Sequence, residues 1–181
     1  IDNLNDYYDV NLKKDRLKQL RKYSKFDFYK KNIEDKNLCK FFRKKKIDLI
    51  INLAAQAGVR HSLKDPYSYI NSNVMGQLNM LELAKICNVK KFIYASSCSV
   101  YGSSAGKKLI TEKSKVKPIS LYAELKIKCE KYILQNNKFD YSRTILRLAT
   151  VFGYSYRQRF DLVVNLFTLF SYLNKKILVF G

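Results

Sequence analysis

Short apolar runs alternate with longer amphipathic stretches along the chain. Residues 48–53, 91–95, 141–148 and 177–180 predict strands. The second and fourth of these are almost continuously apolar, as parallel strands covered on both faces are. Between them the period changes. Asp65-Pro66 reads as an N-cap followed by a proline in the first helical turn. After it, Ile70, Val74, Leu78, Leu81 and Ala84 recur at spacings of three and four, which predicts a helix with one apolar stripe. Pro118-Ile119-Ser120 opens another, with Leu121, Leu125, Cys129 and Tyr132 roughly in line, and residues 10–21 and 161–173 predict two more.

Strands alternating with helices imply an α/β fold built on a parallel sheet. In such sheets ligands bind beyond the carboxyl ends of the strands. The positions to examine are therefore Leu53-Ala54-Ala55-Gln56, Ser96-Ser97-Cys98-Ser99 and Ala149-Thr150-Val151, each just after an apolar run. No internal repeat, low-complexity linker or sharp domain boundary interrupts the pattern.

Composition narrows the functions this fold can serve. At 181 residues one core is expected, and 47% apolar content suits a globular protein. No stretch approaches the roughly 20 apolar residues of a membrane-spanning helix. The start, Ile1-Asp2-Asn3, has no initiator Met, basic leader or apolar leader segment. One histidine and four cysteines without a C-x-x-C pair predict neither a metal site nor a disulfide framework, so a reducing, cytoplasmic setting is expected. The net charge of +20 raises the reading of a nucleic-acid binder. The lysines are dispersed, however, apart from Arg43-Lys44-Lys45-Lys46 at an expected helix C-terminus, where cations complement the dipole. A solvated basic surface is the reading adopted, with no nucleic-acid or membrane partner.

Candidate chemistry lies in Ser97, Tyr122 and Lys126. Tyr-x-x-x-Lys on a helix sets phenol and ammonium one turn apart on one face. A cation close to a phenol favours the phenolate, so the Tyr122 pKa is expected to fall from about 10. Such a phenolate removes a proton from a hydroxyl, which Ser97 holds in line. With 14 tyrosines and abundant lysine, the spacing alone arises by chance, and a surface helix with a half-buried tyrosine is the plain alternative. The Ser-Ser pair at a strand end, followed by Tyr101-Gly102, strengthens the signal. Glu124 should face solvent, Cys98 should be a small buried neighbour of Ser97, and His61 a loop residue near Arg60.

Three segments carry a resemblance. Tyr94-Ala95-Ser96-Ser97-Cys98-Ser99-Val100-Tyr101-Gly102 resembles the Ser-Ser-x-x-Val-Tyr-Gly segment of nucleotide-sugar epimerases. Pro118-Ile119-Ser120-Leu121-Tyr122-Ala123-Glu124-Leu125-Lys126 resembles their Tyr-x-x-x-Lys helix, and Leu146-Arg147-Leu148-Ala149-Thr150-Val151-Phe152-Gly153 their Leu-Arg-x-x-Thr-Val-Tyr-Gly strand end. The chain is thereby identified as a member of the NAD-dependent epimerase/dehydratase family of extended short-chain dehydrogenase/reductases.

That resemblance implies a Rossmann-like, doubly wound parallel sheet over residues 1–181, with a substrate-binding part starting near 153. It implies Ser97, Tyr122 and Lys126 as catalytic residues. It implies NAD as cofactor, with Asp2 and Asn3 at the adenosine ribose, Asn32 and Ile33 near adenine, and Leu53, Ala54, Ala55, Gln56, Asn73 and Ser96 lining the rest. Tyr122 and Lys126 belong to that set too, the lysine holding the nicotinamide ribose. The acid at Asp2 favours NAD over NADP. Arg60, Thr150 and Asn165 join Ser97 and Tyr122 at a nucleotide-sugar substrate. A homodimer built from helices like the one carrying Tyr122 is implied as well.

Ile1-Asp2-Asn3-Leu4-Asn5-Asp6-Tyr7-Tyr8-Asp9-Val10 and Asn52-Leu53-Ala54-Ala55-Gln56-Ala57-Gly58-Val59-Arg60 resemble UDP-glucuronate 4-epimerases, whereas Arg159-Phe160-Asp161-Leu162-Val163-Val164-Asn165 looks like other sugar epimerases. The resemblance thus implies transient oxidation at C4 of UDP-glucuronate, with another epimerase or dehydratase, or a non-catalytic Rossmann-like module, as alternatives. Cys98-Ser99 stands where the family's dehydratases carry Asp-Glu and its decarboxylases a glutamate, which disfavours both. Asn32 replaces an aspartate and removes one charge from the adenine side.

The family's first strand and G-x-x-G-x-x-G turn are expected before Asp2, and its C-terminal substrate part beyond Gly181. A strand near residues 26–30 would then lie three strand positions from the next, roughly 14 Å away. The 181-residue chain alone is therefore expected to bind NAD poorly and to lack a stable fold. Cooperative thermal unfolding with a midpoint raised by NAD would overturn that expectation.

Overall fold

The computed structural model describes residues 1–58, 61–103, 109–135, 139–177 and 179. They form two compact units: residues Ile1–Asn3 with Tyr29–Ala149, and residues Leu4–Phe28 with Thr150–Gly181.

The first unit is built on three parallel strands in the order β1-β2-β3, with β1 at Leu49–Asn52, β2 at Lys91–Ser97 and β3 at Ser142–Leu148. The register pairs Ile50 with Phe92 and Tyr94 with Ile145. Side chains alternate across a strand, so Ile50, Phe92, Tyr94 and Ile145 share one face. That face meets α4 (Gly76–Ile86) and α5 (Leu121–Gln135) in a core that includes Leu81, Ala84, Cys129 and Ile133. α2 (Leu38–Phe42) packs on α4 and extends the core with Leu38 and Phe42.

On the face away from α4 and α5, Leu49 and Ile51 of β1 and Leu146 and Leu148 of β3 are exposed at 41–54%, whereas Ala95 of β2 is buried. Three expectations need correction. The strand expected over 26–30 contracts to one parallel bridge between Lys30 and Asp2, because Asp2 and its neighbours offer no longer edge. The stripe Ile70-Val74-Leu78 is not the buried one. α3 (Pro66–Tyr69), capped by Asp65, runs into a π-helical segment at Ile70–Met75 before α4 begins. The wider π turn rotates the phase, so Tyr69, Asn73 and Gln77 face inward while Ile70 and Leu78 are 40% and 37% exposed. At 177–180, Ile177 and Val179 carry no strand, and Leu178 and Phe180 lie outside the described residues.

The second unit holds α1 (Val10–Leu20), whose N-cap is Asp9, and α6 (Val163–Asn174). The Tyr8 ring takes Arg157 at 3.8 Å and Lys13 at 4.5 Å from its centroid, and its hydroxyl accepts from Arg16 at 3.0 Å. No helix among the described residues is long and apolar enough to cross a membrane.

Gly102 fixes the turn after β2. Its φ of 74° and ψ of −151° lie in a region reserved for glycine, and a side chain there would run into the Lys117 carbonyl. Gly102→Ala should destabilise the whole protein by roughly 1–3 kcal/mol in chemical denaturation; an unchanged midpoint would show that the turn is not held as described.

Candidate active site

β2 ends on two serines with opposite fates. Alternation sends Ser96 to the α5 face and Ser97 to the other. Ser97 keeps an extended backbone and caps the short 3-10 turn Cys98–Tyr101: its Oγ accepts from the Ser99 amide at 3.2 Å and from the Ser99 hydroxyl at 2.9 Å. The Ser97 hydroxyl lies beside the Tyr122 phenol and works against its upward shift. Cys98, expected to be buried, is exposed instead, because the turn carries it out from the strand end.

Tyr122, Lys126 and Glu130 succeed one another at intervals of four on α5 and share its strand-facing side. The Tyr122 ring meets Tyr69 edge-on, at 6.2 Å between centroids. Lys126 is 3% exposed and donates to the Ala95 carbonyl oxygen at 2.7 Å. Its Nζ lies 4.7 Å from the Tyr94 ring centroid and 5.7 Å from that of Tyr122. Glu124, as expected, faces solvent.

Burial reverses the expected titration of Tyr122. Its phenol is pushed above the ordinary value by desolvation, and the Ser97 hydroxyl offsets this only in part. The cation that was to lower it has itself lost water. Desolvation brings Lys126 down to about 8, against the opposing pull of Cys129 and Glu130. The ammonium's nearest partner is a strand carbonyl rather than the phenol.

Glu130 and Arg147 were not among the sequence-derived candidates. Glu130 is 3% exposed and takes a short hydrogen bond from the Ser96 hydroxyl. Arg147 on β3 grips the same carboxylate, Nη2 at 2.7 Å and Nε at 3.1 Å, and gives Nη1 to the Tyr101 hydroxyl at 2.9 Å. These bonds to Glu130 raise the Arg147 pKa further. The available signal was Glu130 four residues beyond Lys126 on the Tyr122 stripe. Ser96, expected at the cofactor, has its hydroxyl committed to this pair.

On the β1 side, polar side chains brace the turn at 53–56 from below. Asn52 donates to Gln77 Oε1 at 2.6 Å and accepts from the Ala54 amide at 3.2 Å. Asn73 clamps Gln56 reciprocally: its Oδ1 accepts from the Gln56 amide at 2.8 Å and its Nδ2 donates to the Gln56 carbonyl at 3.0 Å. Asn73, expected near the cofactor, therefore holds the turn with both ends of its amide. The turn presents Leu53, 67% exposed, and Ala54, with Ala55 half-buried. Asp2 and Asn32 are exposed and Asn3 half-buried. Ile33, expected near adenine, packs its side chain in the core against Gly76.

The structure brings together Ser97, Tyr122 and Lys126, with Ser96 and Asn73 as supports. Thr150 and Asn165 belong to the second unit. Thr150 is exposed there, and Asn165 is buried with its amide donating to the Arg159 carbonyl at 3.0 Å. Arg60 lies outside the described residues. Among the described residues no group of acidic, histidine and cysteine side chains could hold a metal ion.

The buried ammonium has a consequence for stability. Below pH 8 Lys126 is charged in both folded and unfolded chains, so its desolvation penalty is fully present. Between pH 8 and about 10.5 only the unfolded chain keeps the proton, and rising pH relieves the penalty. The stability of the whole protein relative to its Lys126→Met variant should therefore rise across that window in chemical denaturation; a pH-independent difference would mean that the lysine is not desolvated.

The model of the NAD dependent epimerase/dehydratase family matches residues 4–181. Protein CapI of Staphylococcus aureus is 41% identical over 155 residues, which is 84% of this chain and 46% of that protein. The UDP-glucuronate 4-epimerase of Thermodesulfobacterium geofontis is 38% identical across the whole chain, covering 56% of its own length. Among solved structures, the UDP-glucuronic acid 4-epimerase of Bacillus cereus in complex with UDP-glucuronic acid and NAD superposes with a TM-score of 0.79 at 31% identity, over 97% of this chain and 54% of that one. The chain thus spans about half the length of the relatives it matches. A three-stranded parallel sheet with Ser97 at a strand end and Tyr122 and Lys126 on the following helix, matched by the family model over nearly every residue, makes this chain a member of the NAD dependent epimerase/dehydratase family.

Proposed function

We propose that this chain carries the proton-transfer centre of an NAD-dependent nucleotide-sugar 4-epimerase that interconverts UDP-glucuronate and UDP-galacturonate. The observation that carries the reading is the grouping of Ser97 at the end of β2 with Tyr122 and the buried Lys126 one turn apart on α5, the ammonium 5.7 Å from the Tyr122 ring centroid. The relatives' names support the sugar, since several are UDP-glucuronate 4-epimerases.

The carboxyl edge of the sheet suits a dinucleotide. Asp2 offers an exposed carboxylate for ribose hydroxyls, Leu53 and Ala54 an uncovered turn that needs a covering surface, and Lys126 has N–H donors beyond the one given to Ala95. NAD, when bound, supplies hydride acceptance and return at sugar C4. The chain supplies the proton chemistry. Tyr122 acts as the phenolate: it takes the 4-hydroxyl proton as C4 is oxidised and, now a phenol, gives that proton back to the 4-oxygen as C4 is reduced. Donation from Ser97 to the phenol oxygen would stabilise the phenolate before the first transfer and after the second. The Lys126 ammonium does the same through space, which matters because burial otherwise opposes that charge.

Elimination of water would need an acid and a base beside the serine. Cys98 is exposed there, and the Ser99 hydroxyl is bound to Ser97, which supports epimerisation over dehydration. With the whole protein, UDP-glucuronate and NAD, product is expected by chromatography. Tyr122→Phe should lower turnover by about 10²–10⁴-fold, with NAD binding retained. Undiminished turnover in that variant would remove Tyr122 from the mechanism.

A further inference from the structure

Lys126 poses a problem that its hydrogen bond does not solve. An ammonium has three N–H donors; this one is 3% exposed, and its hydrogen bond among the described residues goes to Ala95 O. The next group is the face of Tyr94, 4.7 Å from Nζ to the ring centroid. Aromatic faces carry negative charge density and attract cations, most strongly where water is excluded. Tyr94 itself is 2% exposed.

The Tyr94 ring is enclosed in the core. Its buried hydroxyl has no hydrogen-bond partner among the described residues, and the Cys129 thiol lies near it. That thiol donates in turn to the Asn73 carbonyl at 3.2 Å, which ties it to the helix bracing the turn at 53–56. Burial raises the Tyr94 phenol far out of reach of ordinary pH, so the ring remains neutral. Other charged or titratable groups lie around the ammonium. On α5 they are Tyr122, Cys129 and Glu130, and Glu130 is already gripped by Arg147 from β3. The 3-10 turn after β2 brings Cys98 to Tyr122 and Tyr101 to Arg147. His61 and Tyr69 approach α5 from the segments before α4.

We propose that Tyr94 is a positioning residue whose ring face holds the Lys126 ammonium beside Tyr122. This rests on the reading of Tyr122 and Lys126 as the proton-transfer pair. It assigns Tyr94, two residues before Ser96 and outside the Ser-Tyr-Lys set, a part in the same centre.

The test uses the whole protein with 13C-labelled lysine. Lys126 is assigned by its loss in Lys126→Arg and titrated by NMR, alongside the pH profile of turnover on UDP-glucuronate. Tyr94→Phe keeps the ring and should leave both within experimental error. 3,4,5-Trifluorophenylalanine at position 94 keeps the shape and drains the ring face. It should lower the Lys126 titration midpoint by about 0.5–1 unit, move the alkaline limb of kcat by the same amount and change KM less than twofold. Tyr94→Leu should do the same in whatever fraction folds. An unmoved Lys126 midpoint in the fluorinated protein overturns the proposal, as does an equal shift in Tyr94→Phe. If the parent protein turns over no nucleotide sugar, the functional reading fails, while the Lys126 titration still decides the role of Tyr94.

Discussion

Moving a lysine ammonium out of water is costly unless other groups replace its solvation. Lys126 makes that exchange where α5 meets β2, accepting the Ala95 carbonyl and the Tyr94 face in place of water. Its position there depends on the helix lying close against the strand, which the Cys129 and Ile133 packing on Phe92 and Tyr94 provides. Tyr122, one turn earlier on the same helix, is thereby brought to Ser97. The apolar core and the Tyr122–Lys126 pair are positioned by the same packing of α5 on β2.

The polar side chains around this centre act mainly as braces. Ser96 and Glu130 join β2 to α5, and Arg147 adds β3 to the same carboxylate. Asn73, Asn52 and Gln77 support the turn after β1. A buried ion pair is weak evidence for stability because desolvation opposes attraction. The forked geometry of Arg147 on Glu130 instead fixes direction, holding three elements in one register. The π segment at Ile70–Met75 belongs to the same design, since it turns Asn73 inward where a regular helix would have presented Val74.

Much of the fold was legible from pattern. Three of the four apolar runs became β1, β2 and β3, and Asp65-Pro66 marked its helix start correctly. Tyr-x-x-x-Lys after a Ser-Ser strand end identified residues that do converge. The shortfalls have physical causes. A hydrophobic stripe is read at one period, so a π turn that shifts phase sends Ile70 and Leu78 outward unannounced. Position alone cannot say which protein groups a polar side chain meets: Asn73 pairs with the Gln56 backbone and Ser96 with the Glu130 carboxylate. Cys98 looked small and apolar enough for burial, but the 3-10 turn faces it outward.

Local periodicity placed β1, β2, β3 and the helices between them, and spacing within one helix set Tyr122 and Lys126 on one face, because both depend on neighbours in the chain. The electrostatics came from packing. Whether Tyr122 is lowered or raised, and whether Lys126 keeps its full charge, depends on how much water each loses and which groups replace it. Those groups, Ala95, Tyr94 and the Glu130–Arg147 pair, come from separate elements that only packing brings together.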